Sequence, residues 1–440
     1  MQGSQPTVAI LTQGCKVNQY ESEAIAEAFV REGFSLRAAD EHADVYVINT
    51  CTVTAESDRK AGQLVRRVRT RNPEAFVLVT GCFAQSCPEA VARITGVDDI
   101  CGNTDKLSVV AAAKRLLDTG KPGTPAVRVG NVQTAPFEPM QITRFDRTRA
   151  YVKIEDGCEN RCTYCAIPAA RGRVRSKPLE AVLAEVTGLV AGGCREVVLT
   201  GIETASWGRD LSGVSFADLL EAVDAIPGIG RVRLGSLDPS LMKPDFVSRI
   251  ARLTHLAPHF HISMQSGSSR VLAEMKRKYN AEQAMAGIER LRAAIPRVEL
   301  TTDFIVGFPG ETDADFAATL DFARRAEFLQ MHVFSYSRRA GTPAAARTDQ
   351  IPQAVRRARS AELIALGEEL RRQRYEKALA GALCEVLFET YENGVAIGHT
   401  DTFFEVAVPS PTPLRAELCT VRVSELREGR LWGTSEEVIP

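Results

Sequence analysis

Residues 151–172 read YVKIEDGCENRCTYCAIPAARG, and this stretch decides the fold. An apolar strand pattern, YVKI, runs directly into Cys158, Cys162 and Cys165 in the spacing C-x-x-x-C-x-x-C. Thiolates are the usual ligands of iron–sulfur clusters, and one compact loop can present three of them to one cluster. Three ligands on a four-iron cluster leave one iron open to a further molecule, as catalytic metal sites keep one position free. The competing readings are a zinc knuckle and three incidental thiols. Zinc usually takes four ligands, and no fourth Cys or His lies nearby.

Downstream, the apolar runs 195–200, 231–236, 259–264, 298–306 and 331–336 alternate with five helix-like segments. Six β/α units predict a partial parallel barrel, whose active site belongs at the C-terminal ends of its strands. The cysteine loop follows the first of them. Upstream, strands are predicted at 7–12, 43–50 and 75–81, with helices at 18–32 and 56–71, so this part also reads as a parallel α/β sheet. Cys15, Cys51 and Cys82 each follow one of these strands. Any one alone reads as a small buried residue. Three at the same topological position, on the ligand-bearing edge of an open sheet, point to a second cluster.

Residues 120–143 hold four prolines and three glycines without periodicity and read as a linker. A charged helix runs from Gln353 to about Ala380. Short alternating runs then predict a small antiparallel barrel.

The whole chain has 440 residues, 45% hydrophobic, and 54 basic against 55 acidic residues, which is ordinary globular usage. No apolar run nears the ~18 residues of a membrane span, and the N-terminus lacks the features of a signal peptide. A cytoplasmic protein without a membrane partner is expected. Eleven cysteines, an odd number in such a chain, favour metal or redox chemistry over disulfides. The near-zero net charge gives no nucleic-acid signal. Arginines and lysines do cluster on 56–71 (Arg59, Lys60, Arg66, Arg67, Arg69, Arg71) and on 355–374, where a solvated helix face is the plain alternative.

The cysteine loop followed by β/α units resembles the radical S-adenosylmethionine (SAM) superfamily, and Tyr164 between the last two cysteines fits that pattern. GCKVNQYES, NTCTVT, GCFAQ, GCENRCTYCAIPAARGRVRS, HISMQSGS, TDFIVGFPGET and FSYSRRAGTPA together resemble the methylthiotransferases, over essentially the whole chain. GCKVNQ with NTCTVT is similar to the branch acting on N6-threonylcarbamoyladenosine in tRNA. Phe83 and Asp238 depart from the family's usual tyrosine and glutamate.

The resemblance implies a flavodoxin-like N-terminal domain with an auxiliary cluster (5–119), a linker (120–143), a radical SAM (β/α)6 half-barrel (144–374) and a TRAM-like RNA-binding β-barrel (375–440). It implies two 4Fe-4S clusters, on Cys158, Cys162 and Cys165 and on Cys15, Cys51 and Cys82. The open iron of the first would bind SAM, whose one-electron cleavage yields a 5′-deoxyadenosyl radical. The second would hold or supply sulfur. At the strand ends, Gly201, Glu203, Ser236, Gln265, Gly307 and Gly310 are the expected SAM contacts with Tyr164, and Glu203 would pair with the amino group. A turn glycine or a helix cap is the plain reading of each.

The expected partners are the anticodon arm of a tRNA and an electron donor such as a flavodoxin or ferredoxin. The expected product is the 2-methylthio derivative of the threonylcarbamoylated base. Enzymes acting on isopentenyl-adenosine tRNA or on a ribosomal-protein aspartate compete with this reading, as does a non-catalytic iron–sulfur redox sensor that binds RNA. A pocket for threonylcarbamoyladenosine needs a group for its carboxylate, and Arg338 and Arg339 are candidates beside a structural ion pair. The terminal barrel is expected to be removable without loss of either cluster, and its Phe403 and Phe404 either fill its core or stack on a base.

Overall fold

The computed structural model describes residues 5–145, 147–379 and 383–439. Its first sheet has six parallel strands: β1 (Thr7–Thr12), β2 (Ser35–Arg37), β3 (Val45–Thr50), β4 (Phe76–Gly81), β5 (Asp99–Cys101) and β6 (Ala126–Arg128). Their order is β2-β1-β3-β4-β5-β6. The central strands are apolar throughout, because an apolar layer packs on each face of the sheet. The order reverses between β1 and β3, and open α/β sheets bind ligands beyond the strand ends at such a switch.

β2, β5 and β6 escaped the sequence reading, since three residues are too few for a periodic signal. β6 lies inside the stretch read as a linker. That reading is corrected: 126–128 pair with β5, while Met140 and Ile142 are buried in the core of the following domain.

The half-barrel follows. β7 (Ala150–Lys153) leads into the cysteine loop, and a short ribbon, β8 (Glu155–Asp156) with β9 (Arg175–Ser176), flanks it. Then come β10 (Glu196–Thr200), β11 (Arg231–Leu234), β12 (Ser236–Leu237), β13 (His259–Gln265), β14 (Glu299–Val306) and β15 (Gln330–Ser335). β11 and β12 are one strand interrupted at Gly235. Its first half pairs with β10 and its second with β13, so six parallel strands run in the order expected from the sequence. The helices cover the outside and share with the strands the largest apolar core.

The helix Gln353–Ala378 packs along β15 and leads to the small barrel. β16 (Leu383–Glu392), β17 (Val395–Thr400), β18 (Glu405–Pro409), β19 (Leu418–Arg427) and β20 (Arg430–Val438) close in the order β16-β17-β18-β20-β19. The pairing is antiparallel except for one parallel seam, β18 with β20. Ala382, near which the sequence starts this barrel, lies outside the described residues. Among the described residues, no helix is long and apolar enough to cross a membrane.

Candidate active site

Each cysteine triplet emerges where the backbone turns sharply off a strand. Gly81, ending β4, has φ +97°, and a Cβ there would lie 2.3 Å from the Thr50 carbonyl oxygen; only glycine lets Cys82 come so close to the end of β3. Cys51 directly follows β3, and Cys15 lies just beyond β1, so the three thiols end three neighbouring strands. A Cβ on Gly14 would meet the Cys51 sulfur at 2.9 Å, which places the first two loops in contact. Burial pushes the Cys51 thiol up to about 11, and its cysteine neighbours add to the shift.

The cation surplus beside these thiols is unusual for a protein interior. Arg171, fully buried, donates from Nε to Cys82 Sγ at 3.1 Å, from Nη1 to Glu21 at 2.5 Å and from Nη2 to Asn18 at 2.6 Å. Lys106 and Lys153 also bind Glu21, while Arg171, Lys153 and Arg175 share Asp156. Four buried cations face two carboxylates. Such a surplus is tolerated when further negative charge is nearby, as it is when the thiols are metal-bound thiolates. The cation ring holds the Glu21 carboxyl well below its ordinary range.

The second triplet lines a cavity of about 310 Å³ at the C-terminal ends of the half-barrel strands. Cys158, Cys162 and Cys165 all reach it, with Tyr164, Glu203 and Gln265. Burial pushes the Cys158 thiol up to about 12 and that of Cys165 to about 11, so only a strong Lewis acid would make them thiolates near neutrality. Arg277 donates to Cys162 Sγ at 3.3 Å and is held by Asp238 at 2.6 Å. Glu203 accepts from Asn160 Nδ2 at 2.9 Å. Burial first and Asp238 second raise its carboxyl to about 7. Gln265 holds the left-handed conformation at φ +67°, strain of the kind that collects at binding sites.

Four expected SAM contacts lie off this wall. Gly307 packs against Arg356, whose Cγ would sit 2.2 Å from an added Cβ, and Gly310 packs against Arg347 and Asp349. Gly201 backs onto Glu155, and Ser236 is exposed outside the lining. Packing, rather than approach to a cofactor, is the structural reason for these three glycines. Conversely, Arg277, Ser263, Asp303 and Phe334 line the cavity although no periodic or spacing signal marked them.

The cavity is shared between domains. Val53 and Thr54, on the loop after Cys51, form part of its wall. Arg339 clasps that loop, donating to Thr52 Oγ1 and Asp58 Oδ2, both at 2.7 Å, so it is a domain tie and no free carboxylate receptor. Arg338 is turned to the Ala345 carbonyl.

A half-barrel with three cysteines on its first βα loop is the architecture of a radical SAM enzyme, and residues 152–323 match the model of that superfamily. Residues 7–102 match a model described as uncharacterized protein family UPF0004. A solved radical SAM methyltransferase, TsrM from Kitasatospora setae, shares the fold, with a TM-score of 0.57 at 18% identity over 78% of this chain and 77% of its own.

Threonylcarbamoyladenosine tRNA methylthiotransferases from Bacillus subtilis and Thermotoga maritima are each 38% identical to the chain. The matches cover 95% and 98% of this chain and 93% and 95% of theirs. A tRNA-2-methylthio-N6-dimethylallyladenosine synthase from Desulfitobacterium hafniense is 34% identical over 97% of this chain and 96% of its own. The chain belongs to the radical SAM methylthiotransferase family.

Proposed function

We propose that this enzyme converts N6-threonylcarbamoyladenosine beside the anticodon of a tRNA into its 2-methylthio derivative, with one 4Fe-4S cluster on each cysteine triplet. The observation that carries the reading is the shared cavity: the loop after Cys51 forms one wall and Cys158, Cys162 and Cys165 another. A reaction that needs both sulfur delivery and hydrogen abstraction requires its two centres to meet at one substrate. The threonylcarbamoyl branch is favoured by the two relatives at 38% identity over the one at 34%.

Bound clusters and SAM would supply one-electron reduction, a carbon radical and the sulfur and methyl groups. The chain's own residues bind and position. Glu203, oriented by Asn160, offers a carboxylate to the SAM ammonium. Arg277 and Arg171 donate N–H to one sulfur of each triplet, interactions that tune thiolate-bound centres. Phe334 and Val53, 49% and 54% exposed at the cavity, give an apolar surface for an unstacked base. A flavodoxin or ferredoxin as electron donor, and a cytoplasmic setting, suit this chemistry.

Anaerobic reconstitution should load about eight irons, and Cys15, Cys51 and Cys82 replaced by alanine should halve that count while SAM cleavage persists. Mass spectrometry of nucleosides from tRNAs bearing either base is the deciding assay. Turnover of the isopentenyl base alone would refute the branch, and full iron in the triple mutant would refute the auxiliary cluster.

A further inference from the structure

The interior of the half-barrel is polar where a closed barrel of this class carries stacked branched apolar side chains. His261 of β13 bonds Thr301 Oγ1 at 3.0 Å through Nδ1 and Asp303 Oδ2 at 3.2 Å through Nε2. His332 of β15 lies beside it, with ring centroids 5.8 Å apart. Asp303 also lines the cavity of the cysteine triplet, so this polar chamber opens into the candidate active site.

Its floor carries excess positive charge. Glu196, fully buried, is met by Arg149 at 2.5 Å, Arg233 at 2.9 Å and Arg231 at 3.1 Å. Only Arg149 has a second close carboxylate, Glu389 at 2.6 Å. Into this field comes a residue of the other domain. Lys16, next to Cys15, brings its ammonium within electrostatic reach of Asp303, Glu196, Arg149 and Arg233. It forms no ion pair or hydrogen bond among the described residues, and it is exposed to solvent. An unpaired cation above a positive floor, in a chamber reached from the active site, is a receptor for an anion.

We propose that Lys16, with His332 beside it, binds the carboxylate of the threonylcarbamoyl group and thereby selects an acidic base substituent over an apolar one. The inference rests on the function proposed above. Phe334 stands two residues beyond His332 on β15, at the mouth, and two strand residues span about 6.6 Å. That depth matches a carbamoyl-linked amino acid hanging from a base stacked at Phe334. An isopentenyl tail in the same chamber would leave Lys16 and the floor without an anion.

The test uses the holoenzyme with both clusters loaded and three anticodon stem-loop RNAs, carrying threonylcarbamoyladenosine, its methyl ester or isopentenyl-adenosine. Binding is read by fluorescence anisotropy. The free acid should bind about ten- to a hundredfold more tightly than the ester, the value of a charge-assisted contact. Lys16→Met should close that gap with iron content unchanged, Lys16→Arg should restore part of it, and His332→Phe, away from every cysteine, should narrow it.

Equal binding of acid and ester by the wild type overturns the subsite, as does a gap that survives in an iron-replete Lys16→Met protein. Should Lys16→Met lose iron, an unchanged gap in His332→Phe overturns the paired subsite. Turnover of the isopentenyl RNA alone overturns the underlying function instead, so the two failures are distinct.

Discussion

Arg277 bonds Cys162, the Asp238 carboxylate at 2.6 Å, the Ser263 carbonyl at 3.3 Å and the Tyr279 hydroxyl at 3.1 Å. Arg277→Leu would leave Asp238 buried and unpaired, a loss of about 3–5 kcal/mol measurable by urea unfolding of the apoprotein. Adding Asp238→Asn should recover part of it. Glu203 makes a separate prediction. Its carboxyl, raised from 4.5 to about 7 by burial, is mostly neutral below pH 7, where it attracts an ammonium weakly. SAM affinity should therefore rise as pH increases through about 7 and level off above, and Glu203→Gln should flatten the profile. A pH-independent wild-type titration would remove Glu203 from the SAM site. The same shift makes ionisation harder in the folded than in the unfolded state. It favours the fold at low pH, and this contribution is lost between pH 4.5 and about 7.

Among the elements, the basic helix Ala55–Arg71 divides its charges in a way its sequence does not reveal. Arg69 is spent on Asp98 and the Gly96 carbonyl, Arg71 on the Ala39 carbonyl, and Arg59 on Glu56. Lys60, Arg66 and Arg67 stay exposed on a helix that starts one residue past the cavity wall at Thr54. They are the cations placed to meet tRNA phosphates. Replacing all three with alanine should weaken tRNA binding and flatten the slope of log affinity against log salt by about one unit per lost contact, while SAM cleavage without tRNA holds. The second arginine-rich helix, Gln353–Ala378, is a poor rival. Its Arg359 serves Glu311 and Asp313, and its Arg374 serves Glu299 and Glu327, so most of that patch is structural.

At the scale of the molecule, the terminal barrel sits under the half-barrel, at the end opposite the cysteine triplet. Arg149 reaches Glu389, Arg233 donates to the Thr400 and Asp401 carbonyls, and Arg297 pairs with Asp401. Phe404 fills the small barrel's core, whereas Phe403 neither fills it nor faces solvent freely. Its ring stacks between His259 at 4.3 Å and His399 at 4.7 Å, closing the chamber floor. From Leu383 to Pro440 the sequence holds four arginines and no lysine against ten acids, so this domain is a weak phosphate receptor. The expectation that it can be removed cleanly is corrected. Deleting 379–440 should lower the thermal midpoint and the iron loading together, since it strips partners from the buried Arg149 and Arg233. A truncated protein with full iron and an unchanged midpoint would reject the barrel as a structural cap.

Much of this was legible in the sequence because it is local. The alternation of strand and helix, the cysteine spacing and a cysteine after each of three strands follow from the periodicity of one segment at a time. Short edge strands carry too few residues for such a signal, and β6 hid in a stretch rich in proline and glycine. The roles of single cations were beyond reach for a different reason. Arg339, Arg171 and Lys16 are alike in sequence as solvated charges, yet one clasps a loop, one is buried against a cysteine, and one stands unpaired in a chamber. Which of these a basic residue becomes depends on the carboxylates and sulfurs that distant strands bring within a few ångströms. Electrostatic energy falls with distance through space and not along the chain, so only the tertiary structure decides it.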